Sequence, residues 1–512
     1  MNKLVQVMKD NENKRDNLSV TENGAIGYKS THNPLVDLNF KVSELRNVDE
    51  DFIISEFKKA LEFDRYHTLL WLFYLRDIKE GCGERRAFRV ISKYLLDSED
   101  YDMLNLLEFI PTYGRWDDLT TLYNTKAYNS QRKVVDIIVR QLRDDFVNMT
   151  QNKEVSLLGK WMPSINTSSE TTKKLAREFA REIGISHKKY RHYLSKLREY
   201  IKVVERDLSS NNVSGIDYSK VPAKANLKYA KTFIRKDYDR RLSYIIDCIS
   251  NDTSKMNISG LSPYEIVGGL RMHKFGVSDD NELIANYIWD KMISEGYKND
   301  IGLDNCLCVL DGSGSMRTKI PNTSYTAMDV ARGLSIYFAQ TMKGPFHNII
   351  MEFSRNTRWI DISECKNLVH TCLFLDMYCE WTTTNMYGVF KTLLKAAIDH
   401  NIPSTDMPKQ ILIVSDMEFN MVDNNISNLF DAIAREYHYH GYELPKLIFW
   451  NVLSRTYTIP KIDEGDNGLV LLSGFNQNAG KIAASDKKDP FDALIDVLES
   501  DRYKPIADVI KK

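Results

Sequence analysis

Asp311-Gly312-Ser313-Gly314-Ser315 places a carboxylate and two hydroxyls on alternate residues of one short segment. Gly312 and Gly314 let the backbone bend tightly there, so the three oxygens can converge on one point. Thr384 offers a further hydroxyl from a second segment, and Asp416 a second carboxylate from a third. Two carboxylates and three hydroxyls are hard oxygen donors. Such a set suits Mg²⁺ or Mn²⁺ and leaves the ion electrophilic, with a position open to an outside anion. The competing reading of the first segment is a Gly/Ser turn that caps a helix.

A second chemistry lies in the basic stretch. Residues 171–245 hold 19 Lys/Arg against 8 Asp/Glu, although the whole chain of 512 residues carries a formal net charge of -1. Within it, 187–202 predicts one long helix. Leu194, Leu197 and Ile201 face its core side. Lys188, Lys189, Arg191, His192, Lys196, Arg198 and Lys202 cover most of the remainder. Tyr190, Tyr193 and Tyr200 interleave and could stack on unpaired bases. A second cluster includes Lys224, Lys228, Lys231 and Arg235. Lined up along one face or a central hole, these cations form an electrostatic funnel for single-stranded RNA ends. The bland alternative is a solvated face with buried tyrosines.

The elements that must position these groups differ along the chain. Residues 1–35 are polar and aperiodic, and predict a flexible tail. Residues 36–300 predict some ten helices with short breaks, a HEAT-like solenoid or ring without a strict repeat. After Gly296 the pattern changes. Short apolar runs such as Leu307–Leu310, Ile349–Phe353, Gln410–Val414, Lys446–Leu453 and Gly468–Leu472 alternate with amphipathic helices. That pattern predicts an α/β domain over 301–512, doubly wound, with a parallel sheet covered on both faces. The fold class expected is therefore α plus α/β. Asp311 and Asp416 each directly follow a strand. Outside the carboxyl ends of the strands is where such sheets bind ligands.

The order Asp-x-Ser-x-Ser, then Thr, then Asp resembles the metal-ion-dependent adhesion site of von Willebrand factor A domains, at Asp311, Ser313, Ser315, Thr384 and Asp416. That family's threonine often follows glycine. Here the context is Trp381-Thr-Thr-Thr-Asn385, so Thr383 is the substitute for Thr384. Helices followed by such a domain resemble the Ro autoantigen and its TROVE-domain relatives, which bind small non-coding RNAs. Arg76-Asp-Ile-Lys-Glu-Gly-Cys-Gly-Glu-Arg85 and Ile110-Pro-Thr-Tyr-Gly-Arg-Trp-Asp-Asp-Leu119 look like that family's inter-helix segments. A family of the same architecture in large DNA viruses, phages and plants is closer still. Residues 170–300 match only in character. The physical reading of both segments favours structure over ligand contact: glycines for a tight turn, Trp116 in the core, and Arg and Asp as caps and ion pairs; the alternative is that Arg76, Arg85 and Arg86 hold phosphate.

The resemblance implies a non-catalytic RNA-binding protein whose partner is a structured or single-stranded-end non-coding RNA. The alternative is a metal-dependent protein-interaction module that takes an acidic protein ligand. No GxxxxGK[ST], GxSxG or HExxH pattern supports an enzyme. Seven scattered cysteines without a CxxC pair read as reduced thiols. With no apolar run long enough to span a bilayer and no secretory signal, the expected location is cytoplasmic. The Asn-, Lys- and Tyr-rich composition fits an AT-rich genome, a virus's included.

Overall fold

A computed structural model describes residues 12, 15–251, 256–258, 260–271, 279–299, 302–421, 429–460 and 468–511. The chain divides into two compact units. The first comprises Met1–Thr68, Glu80–Cys82 and Gly260–Ser500; the second comprises Leu69–Lys79, Gly83–Ser259 and Asp501–Lys512.

Two short strands, β1 (Leu18–Val20) and β2 (Ile26–Tyr28), open the first unit. Then follow β3 (Cys306–Asp311), β4 (Ile349–Phe353), β5 (Thr357–Asp361), β6 (Gln410–Ser415), β7 (Lys446–Asn451), β8 (Ile459–Pro460) and β9 (Leu469–Ser473). Six of them form a sheet in the order β5-β4-β3-β6-β7-β9. All pairings are parallel except β4–β5, which is antiparallel. Every residue of β3 and β4 is buried, as continuous apolar runs covered on both faces require. The chain leaves β3 toward β4 on one side and returns to β6 on the other. The gap between the ends of β3 and β6 is therefore the topological switch point of the sheet.

Burial of the Ala327–Thr341 helix is almost complete. It lies on the sheet, and the Pro263–Arg271 helix packs on it so closely that a Cβ at Gly333 would stand 2.7 Å from the Tyr264 nitrogen. Helices within 260–299 thus complete the sheet unit, whereas the sequence places them with the repeats. The C-terminus differs in the opposite sense. Arg502 donates to Asp77 through Nε (2.7 Å) and Nη2 (2.8 Å), and Tyr113 Oη donates to the Arg502 carbonyl (2.6 Å). Residues 501–512 are part of the helical unit.

The expected flexible tail is also corrected. Residues 1–11, 13 and 14 lie outside the described residues, but 17–35 are built into the sheet unit. β1, β2 and β8 form a three-stranded antiparallel sheet. Thr21 Oγ1 donates to the Phe419 carbonyl (2.7 Å), and Asn23 Nδ2 to the Glu418 carbonyl (2.6 Å). Part of the segment's polarity thus serves to satisfy backbone groups of the sheet unit, while Glu22, Asn23 and Lys29 remain exposed.

Glu44 sets a pH dependence in this unit. Its carboxylate accepts from Asn451 Nδ2 (2.8 Å) and the Ser454 nitrogen (2.7 Å), and burial, the largest influence, pushes its pKa up from 4.5 to about 7. Folding therefore favours the protonated form. That contribution is full below the unfolded pKa of 4.5 and is lost as pH rises through about 7. At ~1.4 kcal/mol per unit, Glu44→Gln is expected to gain roughly 3 kcal/mol or slightly more over wild type at pH 8 and almost nothing at pH 4. Urea unfolding at the two pH values checks this; a difference independent of pH would contradict it.

The second unit is helical, with no strand among its described residues. Its longer helices are Arg86–Asp97, Tyr128–Thr150, Glu170–Glu182, His187–Tyr200 and Tyr238–Asn251. Ser169 and Ser186 cap two of them by accepting from the Thr172 and Lys189 nitrogens. The two motif segments are joined by buried ions. Arg76 Nε donates to Asp118 Oδ2 (2.8 Å), and Arg89 Nε to Asp118 Oδ1 (2.7 Å). A Cβ at Gly114 would stand 2.6 Å from Asp118 Oδ2, so this glycine gives the pair its space. Glu84 accepts from the Arg86 nitrogen at the start of a helix (2.8 Å), and Gly83 takes a left-handed φ of 67°. Both segments thus work as ties between helices, and Trp116 is only half-buried. Arg76→Ala would leave Asp118 buried with a partner missing, a loss of about 3–5 kcal/mol measurable by denaturant unfolding. A loss under about 1 kcal/mol would contradict the assignment.

Candidate functional site

Two places in the molecule gather residues that the sequence singles out, one in each unit. The first is at the switch point of the sheet. Asp311 ends β3, and Asp416 follows β6 directly; both are fully buried. Asp311 Oδ1 accepts from the Ser313 nitrogen (2.9 Å), and Oδ2 from Ser415 Oγ (2.5 Å). Ser313 and Ser315 hydroxyls lie 3.0 Å apart, and the Ser315 side chain bonds to Asp416. Four of the five expected oxygen donors are therefore joined in one hydrogen-bonded set.

Thr384 reaches the neighbourhood through its loop. The Trp381 nitrogen donates to the Gly312 carbonyl (3.1 Å), and the Gly314 nitrogen to the Thr382 carbonyl (3.1 Å). Thr384 itself is buried while Thr383 is exposed, which favours Thr384 of the two. Asn420 holds it from both sides: Asn420 Oδ1 accepts from the Thr384 nitrogen (3.3 Å), and the Asn420 nitrogen donates to the Thr384 carbonyl (3.0 Å).

Electrostatics test whether these residues fit a cation. Burial, then the charge of Asp416, holds the Asp311 pKa well above the usual carboxylate range. Burial does the same to Asp416, partly opposed by Ser315 and Arg455. Arg455 Nη1 stands 3.3 Å from Asp416 Oδ2, but the same guanidinium also pairs with Glu22 at 2.7 Å. Two carboxylates buried side by side are unfavourable until a positive charge joins them. The two carboxylates and three hydroxyls are hard oxygen donors of the kind that suits Mg²⁺ or Mn²⁺, while among the described residues no group of three or more His, Cys, Asp or Glu side chains gathers to hold a metal ion.

Sequence reasoning missed Ser415, Arg455 and Glu22. Ser415 was within reach, since it sits between an apolar strand and Asp416. Arg455 and Glu22 are distant in sequence and carry no local signal.

The second place is a cleft of about 980 Å³ in the helical unit. Its lining includes Arg115, Lys160, Arg191, Arg198, Arg206, Lys224 and Lys228, against one carboxylate, Glu205. Aromatic rings share the wall: Trp161, Tyr190 and Tyr229. The Arg115 guanidinium lies over the Trp161 ring at 4.1 Å, and Lys228 Nζ stands 4.9 Å from the Tyr229 ring centre.

Four of the basic residues expected at an RNA interface line this cleft: Arg191, Arg198, Lys224 and Lys228. Arg198 has a structural task there. Its Nε, Nη1 and Nη2 donate to the Gly159 carbonyl, Ser164 Oγ and the Met162 carbonyl, each at 2.8 Å. Lys188, Lys189, His192 and Lys196 are exposed but outside the cleft lining. At 100° per residue, Lys188, His192 and Lys196 lie on another side of the helix from Arg191, Leu194 and Arg198. Lys202 borders a smaller hollow of about 120 Å³; Lys231 and Arg235 are exposed elsewhere.

The tyrosines expected to stack on bases are occupied within the fold. Tyr190 Oη donates to the Pro163 carbonyl (2.9 Å), the Tyr193 ring packs on Phe146 at 4.3 Å, and Tyr200 Oη donates to the Lys153 carbonyl (2.8 Å). Trp161, Arg115 and Lys160 were not expected, because nothing in their local sequence joins them to the basic stretch; Arg206 lies within that stretch but beyond the 187–202 helix.

No described helix is long and apolar enough to cross a membrane. Two family models match the chain, both domains of unknown function: DUF2828 over residues 168–299 and DUF7788 over residues 305–493. The "Uncharacterized protein L728" of Acanthamoeba polyphaga mimivirus is 27% identical over 526 aligned residues, which cover 96% of this chain and 89% of that protein. Among solved structures, the crystal structure of the Deinococcus radiodurans RO (RSR) protein aligns over 87% of this chain and 93% of its own, at 12% identity and a TM-score of 0.37.

Proposed function

We propose that this chain is a non-catalytic, Ro-like RNA-binding protein. Its helical unit, read as HEAT-like repeats, holds RNA in the basic cleft. Its sheet unit, read as a von Willebrand factor A-like domain, holds Mg²⁺ or Mn²⁺ at Asp311, Ser313, Ser315, Thr384 and Asp416. The observation that carries the reading is the cleft, with seven basic side chains and one carboxylate around the half-buried rings of Trp161 and Tyr229. Cations attract phosphates without regard to sequence, and flat rings take unpaired bases. A single-stranded segment or end therefore suits the cleft better than a continuous duplex, whose bases are stacked inward.

Purification from expressing cells tests this. The protein is expected to carry nucleic acid, with a raised 260/280 nm absorbance ratio that falls after a high-salt wash. Sequencing of the released material should return discrete RNAs. A clean preparation that also fails to shift added structured RNA with a single-stranded end would contradict the reading. It would favour a module that takes an acidic protein partner at the cation.

A further inference from the structure

Trp381 takes a left-handed backbone conformation, φ 56°, which a bulky residue rarely adopts and a glycine adopts without strain. Two hydrogen bonds hold it there against the Asp311 loop. The Trp381 nitrogen donates to the Gly312 carbonyl, and the Gly314 nitrogen to the Thr382 carbonyl, both at 3.1 Å. A Cβ at Gly314 would stand 3.0 Å from the Trp381 carbonyl oxygen, so the two segments meet backbone to backbone. The ring is not spent on the core. Trp381 is half-buried, and the guanidinium of the exposed Arg317 lies over it at 4.3 Å. The 354–356 loop is joined to the same segment: the Asn385 nitrogen donates to the Ser354 carbonyl (3.1 Å), and Asn356 Nδ2 to Glu380 Oε1 (3.0 Å). That loop carries the exposed Arg355. Glu380, the acid next to Trp381, is offset by Arg358 at 2.6 Å. Neither Arg317 nor Arg355 is in an ion pair among the described residues.

We propose that Trp381, Arg317 and Arg355 form a second contact for single-stranded RNA, in the sheet unit. An unpaired base stacks on the Arg317–Trp381 pair, and the two positive charges without a carboxylate draw its phosphates. The helical unit's cleft has the same pairing of side chains, Arg115 over Trp161 at 4.1 Å. The place is the one where an open sheet takes its ligands, outside the carboxyl ends of the strands. A partly exposed ring held on a strained backbone has a task beyond packing, because glycine would make the same turn without the strain. The inference rests on the RNA reading above and extends it to residues that do not line the cleft.

Fluorescence anisotropy of a labelled oligoadenylate RNA, titrated with full-length protein, tests the inference. Trp381→Gly removes the ring and suits the left-handed backbone, so it should melt no lower than wild type while binding about 10-fold more weakly. Trp381→Phe keeps a flat ring and should recover most of that loss. Arg317→Gln combined with Arg355→Gln should flatten the slope of log K against log salt by roughly 1.4, at ~0.7 per phosphate contact. Two outcomes would overturn the proposal. Wild-type affinity and salt slope in these variants, with binding weakened by charge reversal at Arg191, Lys224 and Lys228, removes the second contact and leaves the cleft reading intact. No binding of the RNA by wild type removes both.

Discussion

Asp311→Ala is expected to abolish Mg²⁺ and Mn²⁺ binding while leaving the sheet unit folded. Asp311 is the only side chain that ends β3 at the switch point, and its carboxylate is fully buried beside Asp416. Its removal takes away a ligand and half the charge of the two-carboxylate set. The loss should exceed ~100-fold in affinity, above the range seen when only supporting groups of a metal site are changed. The fold should survive, because the same change relieves the mutual repulsion of two buried acids. Thermal melting separates the two effects. Wild type should gain stability as Mn²⁺ is added, by about 2.7 kcal/mol at a hundred times its Kd, whereas the variant should melt at one temperature with or without the ion. A variant that binds Mn²⁺ like wild type would refute the assignment.

Charge reversal in the cleft is expected to have the second largest effect. Arg191, Lys224 and Lys228 are exposed residues of the lining. Replacing all three by Glu should weaken binding of single-stranded RNA on the order of 100-fold at low salt. It should also flatten the slope of log K against log salt by about 2, from roughly 0.7 per phosphate contact. Reversal of Lys188, Lys189 and Lys196 provides the comparison, since these lie outside the cleft lining. Its effect should stay below about tenfold and follow long-range attraction alone. Equal losses in the two variants, measured by fluorescence anisotropy, would move the interface to the outer face of the helix.

The two sites differ in how far their residues could be read from the chain. The Asp311 site was legible because its donors sit directly after continuous apolar runs. A strand buried on both faces has no other way to be written, and its end is where the sheet binds ligands. The cleft was legible only as charge. Residues 187–202 show which side chains are cationic, but not which side of the helix meets the 159–166 segment. That segment, with Arg115, turns Arg191 inward and leaves Lys188 outside. Arg198 shows the limit clearly: its sequence context is that of a ligand contact, and its three donors hold the loop.

The boundaries were misread for two physical reasons. Helices over 260–299 have the same amphipathic pattern as the repeats, so periodicity does not report that they cover the Ala327–Thr341 helix. β1 and β2 are only three residues long, and the turn between them is tied to the unit by hydrogen bonds from the polar side chains of Thr21 and Asn23. A hydrophobic pattern has nothing to register there.

Ultraviolet cross-linking of single-stranded RNA to the full-length protein, with mapping of the joined peptides, tests the central claim most directly. Trp161 and Tyr229 line the cleft, and photochemistry reports rings in contact with bases. The account predicts cross-links at the peptides that carry Trp161 and Tyr229, lost in the Arg191, Lys224 and Lys228 triple variant. Cross-links confined to peptides outside the cleft, or none at low salt, would contradict it.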